Sequence, residues 1–281
     1  MKTYRQIVDC LRQVYADGEA RALARWLCEE RFGLSQTDIL LDKDNDLSAE
    51  DLENLKEITS RLVHHEPIQY ILGHTTFYGR RFYAAPGALI PRPETEELVR
   101  LILASRGDKM SAPRILDVGT GTACIAISLS LGLPQSEVTA WDISREALDV
   151  ARRNVASYPD CHVTLECSDI FAPPNDNRQW DLIVSNPPYV RQSEASGMER
   201  NVLDYEPHLA LFVPDNDPLL YYRAITDYAT THLTDGGELW FEINHSFGAE
   251  LSHLIEGKGF REVHVFEDAF GHPRFVSGLK L

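Results

Sequence analysis

The chain has 281 residues and a mass of 31.8 kDa with 43% hydrophobic content, enough for two domains that each bury a core. Its 43 acidic residues outweigh 27 basic ones, for a formal charge of −16, and its densest basic places are isolated pairs such as Arg80-Arg81 and Arg152-Arg153, which disfavours naked DNA or RNA as a partner. Charges at Lys2, Arg5, Asp9, Arg12, Asp17 and Glu19 leave no apolar signal core, and no run reaches the ~18 apolar residues of a membrane span, so the expectation is a soluble cytoplasmic protein with no membrane partner.

Residues 1–72 read as a helical domain. Ile7, Leu11 and Val14 recur at helical spacing, as do Leu23 and Leu27, then Leu52, Leu55, Ile58 and Leu62. Arg31-Phe32-Gly33 ends one helix, and Ser48-Ala49-Glu50-Asp51 has the form of a capping box opening another. Residues 73–92 change character: Phe77, Tyr78, Phe82 and Tyr83 flank Gly79-Arg80-Arg81, the pattern of a β-hairpin, expected to link two domains.

From residue 93 to 281 helices and strands alternate. Helices are expected over 94–105, 122–131, from the cap Ser144 onward, 219–233 and 247–257. Strands are expected over 114–118, 138–143, 162–167, 182–185, 237–243, 260–266 and 274–280. Such alternation indicates an α/β fold, a mainly parallel sheet covered on both faces, with ligands beyond the carboxyl ends of the strands.

Asp117-Val118-Gly119-Thr120-Gly121-Thr122 follows the first of those strands. Glycines at 119 and 121 allow a sharp turn and close approach of a ligand. Asp142 ends the next strand, where a carboxylate can accept bonds from ribose hydroxyls, and Asp169 ends the third, where it or Ile170 can meet an adenine ring. A dinucleotide oxidoreductase would share the first two features but would usually carry a third glycine at 124, where this chain has Cys. A carboxylate at the strand tip suits an ammonium- and sulfonium-bearing ligand better than a diphosphate, which favours S-adenosylmethionine as the cofactor.

Ser185-Asn186-Pro187-Pro188-Tyr189 follows the buried central strand. Two prolines stiffen the loop, Asn186 offers one acceptor and one amide donor, and Tyr189 offers a flat face. Read as a clamp, the Asn186 side-chain oxygen and the Pro187 carbonyl accept the two N–H bonds of a planar NH2 group, while Pro188 and Tyr189 frame it. No side chain stands out as a general base. The five cysteines show no C-x-x-C and the ten histidines no ligand spacing, so reduced buried thiols and no metal are expected.

The paired loops resemble methyltransferases that modify planar NH2 nitrogens, either adenine or guanine amino groups of nucleic acids or protein glutamine. The ordered set Glu66-Pro67-Ile68-Gln69-Tyr70-Ile71-Leu72-Gly73, Leu89-Ile90-Pro91-Arg92-Pro93-Glu94-Thr95-Glu96, Asn186-Pro187-Pro188-Tyr189 and Glu206-Pro207 resembles the HemK/PrmC family, the peptide chain release factor glutamine methyltransferases, over essentially the whole chain. The resemblance implies a Rossmann-like, seven-stranded class I methyltransferase sheet carrying a reversed hairpin. It also implies class-one release factors as the protein substrate, modified at the glutamine of their Gly-Gly-Gln loop, and a helical domain that recognises them. Gly119, Thr120, Gly121, Thr122, Ala123, Asp142, Asp169, Ile170 and Asn186 would then hold the cofactor, and Asn186 through Tyr189 the glutamine amide. Ala123 departs from a third glycine in many relatives, and Ile170 from an aromatic in some.

Arg92, Glu94 and Glu96 read equally as a helix start enriched in acids or as a pocket rim, and Glu206 reads as a solvated loop carboxylate. The remaining alternatives are a nucleic-acid amino-methyltransferase, against which the charge weighs, and a non-catalytic binding module, against which the intact Gly119, Gly121, Asp142 and Asn186 weigh.

Overall fold

Capping boxes start two helices of the N-terminal part, one of five residues and one of fifteen. Ser48 Oγ accepts the Asp51 N–H at 3.1 Å while the Asp51 carboxylate accepts the Ser48 N–H at 3.3 Å, as the sequence leads one to expect, and Ser35 and Asp38 repeat the arrangement. The computed structural model describes residues 3–41, 43, 47–106 and 112–281.

Two units divide the chain. The first comprises the residues through His74 together with Glu199–Tyr205, and the second comprises Thr75–Met198 and Glu206–Leu281. In the first, α1 (Thr3–Leu11), α2 (Asp17–Phe32), α3 (Gln36–Leu40), α4 (Ala49–Val63) and α5 (Ile68–Leu72) enclose a core of Ile7, Leu11, Leu27, Leu55, Ile58 and Leu62. Gly33 terminates α2 in the left-handed region at φ 65°. Val14 continues the apolar spacing but is 38% exposed, because α1 stops at Leu11, and Leu52 is 39% exposed. The short α9 (Arg200–Tyr205) belongs to this unit, where the Tyr205 hydroxyl donates to the His64 carbonyl at 2.9 Å.

The second unit begins with the hairpin of β1 (His74–Phe77) and β2 (Arg80–Tyr83). Its turn places Tyr78 at φ 49° and Gly79 at φ 71°, both positive as a two-residue I′ turn requires. Phe77 and Phe82 are fully buried and meet edge to face in the core of this unit.

Among the described residues one sheet has seven strands, in the order β10 (Arg261–Glu267), β11 (Pro273–Leu279), β9 (Leu233–Glu242), β6 (Trp180–Ser185), β3 (Arg114–Val118), β4 (Glu137–Asp142) and β5 (Val163–Cys167). β11 runs antiparallel to both neighbours, and the others run parallel to one another. Period-two alternation sends successive side chains to opposite faces. Ile115, Leu182 and Val184 join α6 (Pro93–Arg106), α7 (Cys124–Gly132) and α8 (Arg145–Ala156) in one core. Leu116 and Ile183 join α10 (Leu220–His232) and α11 (Gly248–Gly257) in the other. β6 is buried at every position, the signature of a strand covered on both sides.

The carboxyl ends of β3, β4, β5 and β6 lie side by side, so the loops after Val118, Asp142, Cys167 and Ser185 open on one edge. After β6 the chain forms β7 (Val190–Arg191), which pairs in parallel with β8 (Phe212–Val213), on either side of α9. All five cysteines are free thiols, but only Cys28 and Cys124 are buried; Cys10 and Cys161 are half-buried, and Cys167, at the end of β5, is exposed. Among the described residues no helix is long and apolar enough to cross a membrane.

Candidate active site

The glycine loop is built from the backbone outward. The N–H groups of Gly119 and Thr120 both donate to the Trp141 carbonyl at 2.9 Å, bending the chain away from β3. Gly119 takes φ 72° and Gly121 φ 56°, and no atom lies within 4 Å of where a Cβ would stand at either. Ala123 follows in the same left-handed region at φ 63°, a conformation that costs an alanine but not a glycine. Its methyl is fully buried in the core, so the departure from glycine strains the backbone without narrowing the loop.

Asp142 locks this turn. Its Oδ2 accepts the Gly121 N–H and its Oδ1 the Ser144 N–H, each at 2.9 Å, and burial holds its pKa above the usual carboxylate value. Asp169 Oδ1 accepts the Phe171 N–H at 2.9 Å, and Ile170 sits beside it on the apolar core.

These segments enclose a cavity of about 350 Å³ within the second unit. Its wall includes Gly119, Gly121, Asp142, Asp169, Ile170, Asn186, Pro187 and Pro188, bringing eight of the anticipated residues to one space. Gly87–Leu89, Pro207, Leu209 and Tyr221 also line it, none of them expected from sequence as a site residue. Thr120, Thr122 and Ala123 are buried beneath the loop and are not on the wall.

Tyr189 also stands off the wall, its hydroxyl donating to Glu242 Oε1 at 3.2 Å and its carbonyl accepting the Asn244 amide at 3.3 Å. Asn186 Nδ2 donates to Thr95 Oγ1 at 3.2 Å, and Thr95 Oγ1 donates to Glu242 Oε2 at 2.7 Å. Glu242 is 1% exposed, and burial is the main force raising its pKa. Neither Thr95 nor Glu242 was singled out from sequence. A carboxylate closing the apolar run Leu239-Trp240-Phe241 at the carboxyl end of a parallel strand is the signal that could have revealed Glu242.

Glu206 overturns its reading as a solvated group, for it is 4% exposed. Its carboxylate accepts from Arg92 and from the Ile90 backbone, holding the 206–210 segment beside the cavity. Glu94 and Glu96 fall in the first turn of α6, and Arg92, Glu94 and Glu96 are all absent from the wall. Asp117 lies beneath the loop, fully buried, with Thr120 Oγ1 donating to its Oδ2 at 2.6 Å. Its Oδ1 has no hydrogen-bond partner among the described residues, and burial pushes its pKa up to about 7.

The PrmC N-terminal domain family matches residues 2–73, and the methyltransferase small domain family matches residues 99–203. The release factor glutamine methyltransferase of Bacteroides thetaiotaomicron is 47% identical over 268 residues, spanning 95% of each chain. This chain belongs to the release factor glutamine methyltransferase family. The Flavobacterium psychrophilum member is 41% identical over 279 residues, 98% of each chain. The same sheet recurs in the 16S rRNA N2 G1207 methyltransferase of T. thermophilus, solved with AdoMet and guanosine, with a TM-score of 0.55 and 16% identity over 74% of this chain and 50% of that one. That likeness concerns the fold alone.

The cavity of this family member fits S-adenosylmethionine. Backbone with no side chain stands at Gly119 and Gly121, a carboxylate stands at Asp142, and apolar surface stands at Ile143, Ile170 and Phe171.

Proposed function

We propose that this chain transfers a methyl group from S-adenosylmethionine to the side-chain amide nitrogen of the glutamine in the Gly-Gly-Gln motif of class-one release factors. One observation carries the reading. Asn186 and Pro187 share a cavity wall with Gly119, Gly121 and Asp142, and the Asn186 amide nitrogen is already engaged by Thr95. The Asn186 carbonyl oxygen is therefore the group left to accept from an incoming NH2.

An amide nitrogen is a poor nucleophile because its lone pair is delocalised into the carbonyl. In this reading Asn186 Oδ1 and the Pro187 carbonyl accept its two N–H bonds and turn the lone pair toward the methyl carbon. Two prolines in sequence keep those acceptors from drifting. Alignment at ~3–3.5 Å makes the step effectively unimolecular, an effect worth several kcal/mol. When bound, S-adenosylmethionine supplies a methyl on a positively charged sulfur that departs as a neutral sulfide. The new N–CH3 bond forms as the S–CH3 bond breaks, and the surplus proton passes to water, so no strong base is required. Asp142 would hold the ribose hydroxyls with the lone pairs its two backbone bonds leave free. Asp169 and Ile170, on the same wall, would hold the adenine.

Recognition of the release factor outside its loop falls to the helical domain of residues 1–72. A charge of −16 disfavours nucleic acid as the acceptor, and release factors place the reaction in the cytoplasm. The test is incubation with methyl-labelled S-adenosylmethionine and either a class-one release factor or total RNA and DNA. Label on the Gly-Gly-Gln glutamine, located by peptide mass spectrometry, is the expected result; label in nucleic acid alone overturns it.

A further inference from the structure

The carboxamide of Asn186 has two nearly isosteric orientations, and only one serves a clamp. With Oδ1 toward the cavity it accepts from an NH2 group, whereas with Nδ2 toward the cavity it sets donor against donor. A site that relied on this residue without fixing its direction would lose part of its population to the wrong rotamer.

We infer that Thr95 and Glu242 form a directional relay that holds the Asn186 carbonyl toward the methyl acceptor, Thr95 acting as a positioning residue whose one hydroxyl proton is committed to Glu242. This rests on the proposed role of Asn186 in amide methylation. The three residues come from separate places: Thr95 from the first turn of α6, Asn186 just past β6 and Glu242 at the end of β9. β6 and β9 pair in parallel with Ser185 opposite Phe241, so the next residues, Asn186 and Glu242, lie at the same level. α6 then places the Thr95 hydroxyl between them, 3.2 Å from Asn186 Nδ2 and 2.7 Å from Glu242 Oε2.

The direction follows from counting protons. An ionised carboxylate only accepts, and Glu242 has a hydroxyl at each oxygen, Thr95 at Oε2 and Tyr189 at Oε1. Both hydroxyls therefore donate to the carboxylate, and although burial raises the Glu242 pKa, these two bonds and the charge of Arg274 oppose that rise. Thr95 has spent its proton and has only lone pairs left, so it can bind Asn186 only through the NH2 group. At 2% exposure for Thr95 and 1% for Glu242, water has no access to offer a substitute proton. The reversed amide would face a bare oxygen with another oxygen. Tyr189 gains a role that does not need it on the cavity wall: its hydroxyl donates to the second carboxylate oxygen and helps hold Glu242 in place for Thr95. The threonine of the Pro91–Glu96 segment, which the functional reading had left unused, becomes the hinge of the relay.

Thr95→Val removes the hydroxyl at almost constant shape, and Thr95→Ser retains it. Single-turnover methylation with saturating S-adenosylmethionine and release factor should fall roughly tenfold to a hundredfold in Thr95→Val while the cofactor Kd, by calorimetry, changes less than about threefold. Thr95→Ser should stay within about threefold of wild type. Equal losses in the two variants mean the methyl group matters and the hydroxyl does not, which overturns the relay, as does an unchanged rate in Thr95→Val. If Thr95→Val does not fold, Glu242→Gln reads the same device: its carboxamide can offer a proton to Thr95 and permit the reversed chain, so a turnover loss of about threefold to tenfold is expected, and none overturns the relay.

A second readout is independent of the substrate. In wild type the Asn186 side-chain amide protons, assigned by 15N NMR, should exchange with water at least about tenfold more slowly than in Thr95→Val or Glu242→Gln. Equal exchange overturns the relay. Wild-type protein that methylates no release factor defeats the proposed function instead, and the amide exchange still decides whether Asn186 is held.

Discussion

Arg92 Nη2 donates to Glu206 Oε1 at 2.6 Å, joining the residue before α6 to a loop more than a hundred positions downstream. The other oxygen of Glu206 accepts the Ile90 N–H at 3.0 Å, so one buried carboxylate fastens two strips of the cavity's surroundings. The Glu206 side chain is 1% exposed and that of Arg92 31%, so the pair is partly screened on the arginine side. Glu206→Ala leaves the Ile90 donor unsatisfied and should cost about 1–3 kcal/mol, seen as a lower urea midpoint with unchanged slope. Glu206→Gln, which keeps an acceptor for Ile90, should cost less. Because Pro207 and Leu209 line the cavity, the alanine variant should also bind S-adenosylmethionine more weakly.

Asp142→Ala removes the acceptors of both the Gly121 and Ser144 N–H groups. The glycine turn loses its clamp together with the proposed ribose contact. S-adenosylmethionine affinity should fall by roughly ten- to a hundredfold in calorimetry, with turnover at saturating cofactor less affected. An affinity within twofold of wild type would remove Asp142 from the site.

Asn186→Ala should do the reverse. The side chain acts on the nitrogen as it becomes a nucleophile, so turnover should drop roughly a hundredfold or more while cofactor affinity stays within a few-fold. Rapid-quench methylation and calorimetry measure the two effects separately.

Asp117 predicts a pH dependence of stability. Burial raises its pKa from 3.8 to about 7 in the folded protein, so between those values the folded state holds more protons than the unfolded one. The contribution is full below pH 4 and lost as pH rises through about 7, after which it is flat. Urea unfolding of wild type should show this decline, on the order of a few kcal/mol, relative to Asp117→Asn, which cannot titrate. Parallel pH profiles for the two proteins would refute the assignment.

Local rules made much of this fold readable. β3 occupies the anticipated residues, β6 begins two residues before the anticipated strand and ends with it, and the Ser48 box closes as its spacing requires. Gly119, Gly121, Asp142 and Asn186 could be placed together because parallel strands bring their carboxyl ends to one edge whatever the surrounding sequence. The segment from Val190 to Val213 was opaque, since its two-residue strands and short helices carry no periodicity. Glu206 misled for a different reason. Whether a carboxylate is buried depends on its partner, and Arg92 is too distant in sequence to announce itself. Thr95 looked like one more residue of an acidic helix start, and its meaning appears only when β9 carries Glu242 beside it.

Glu199–Tyr205 packs with the helices near the amino terminus, while the residues on either side of it belong to the second unit. The two bodies are thus interleaved along the gene, and no single cut yields both intact. Truncation before Thr75 would strand a short helix without the surface it was shaped against, and the isolated front segment would lack the helix that packs on it. Recombination could not swap one body for a stranger's without also rewriting seven codons deep inside the other, which binds their ancestries together.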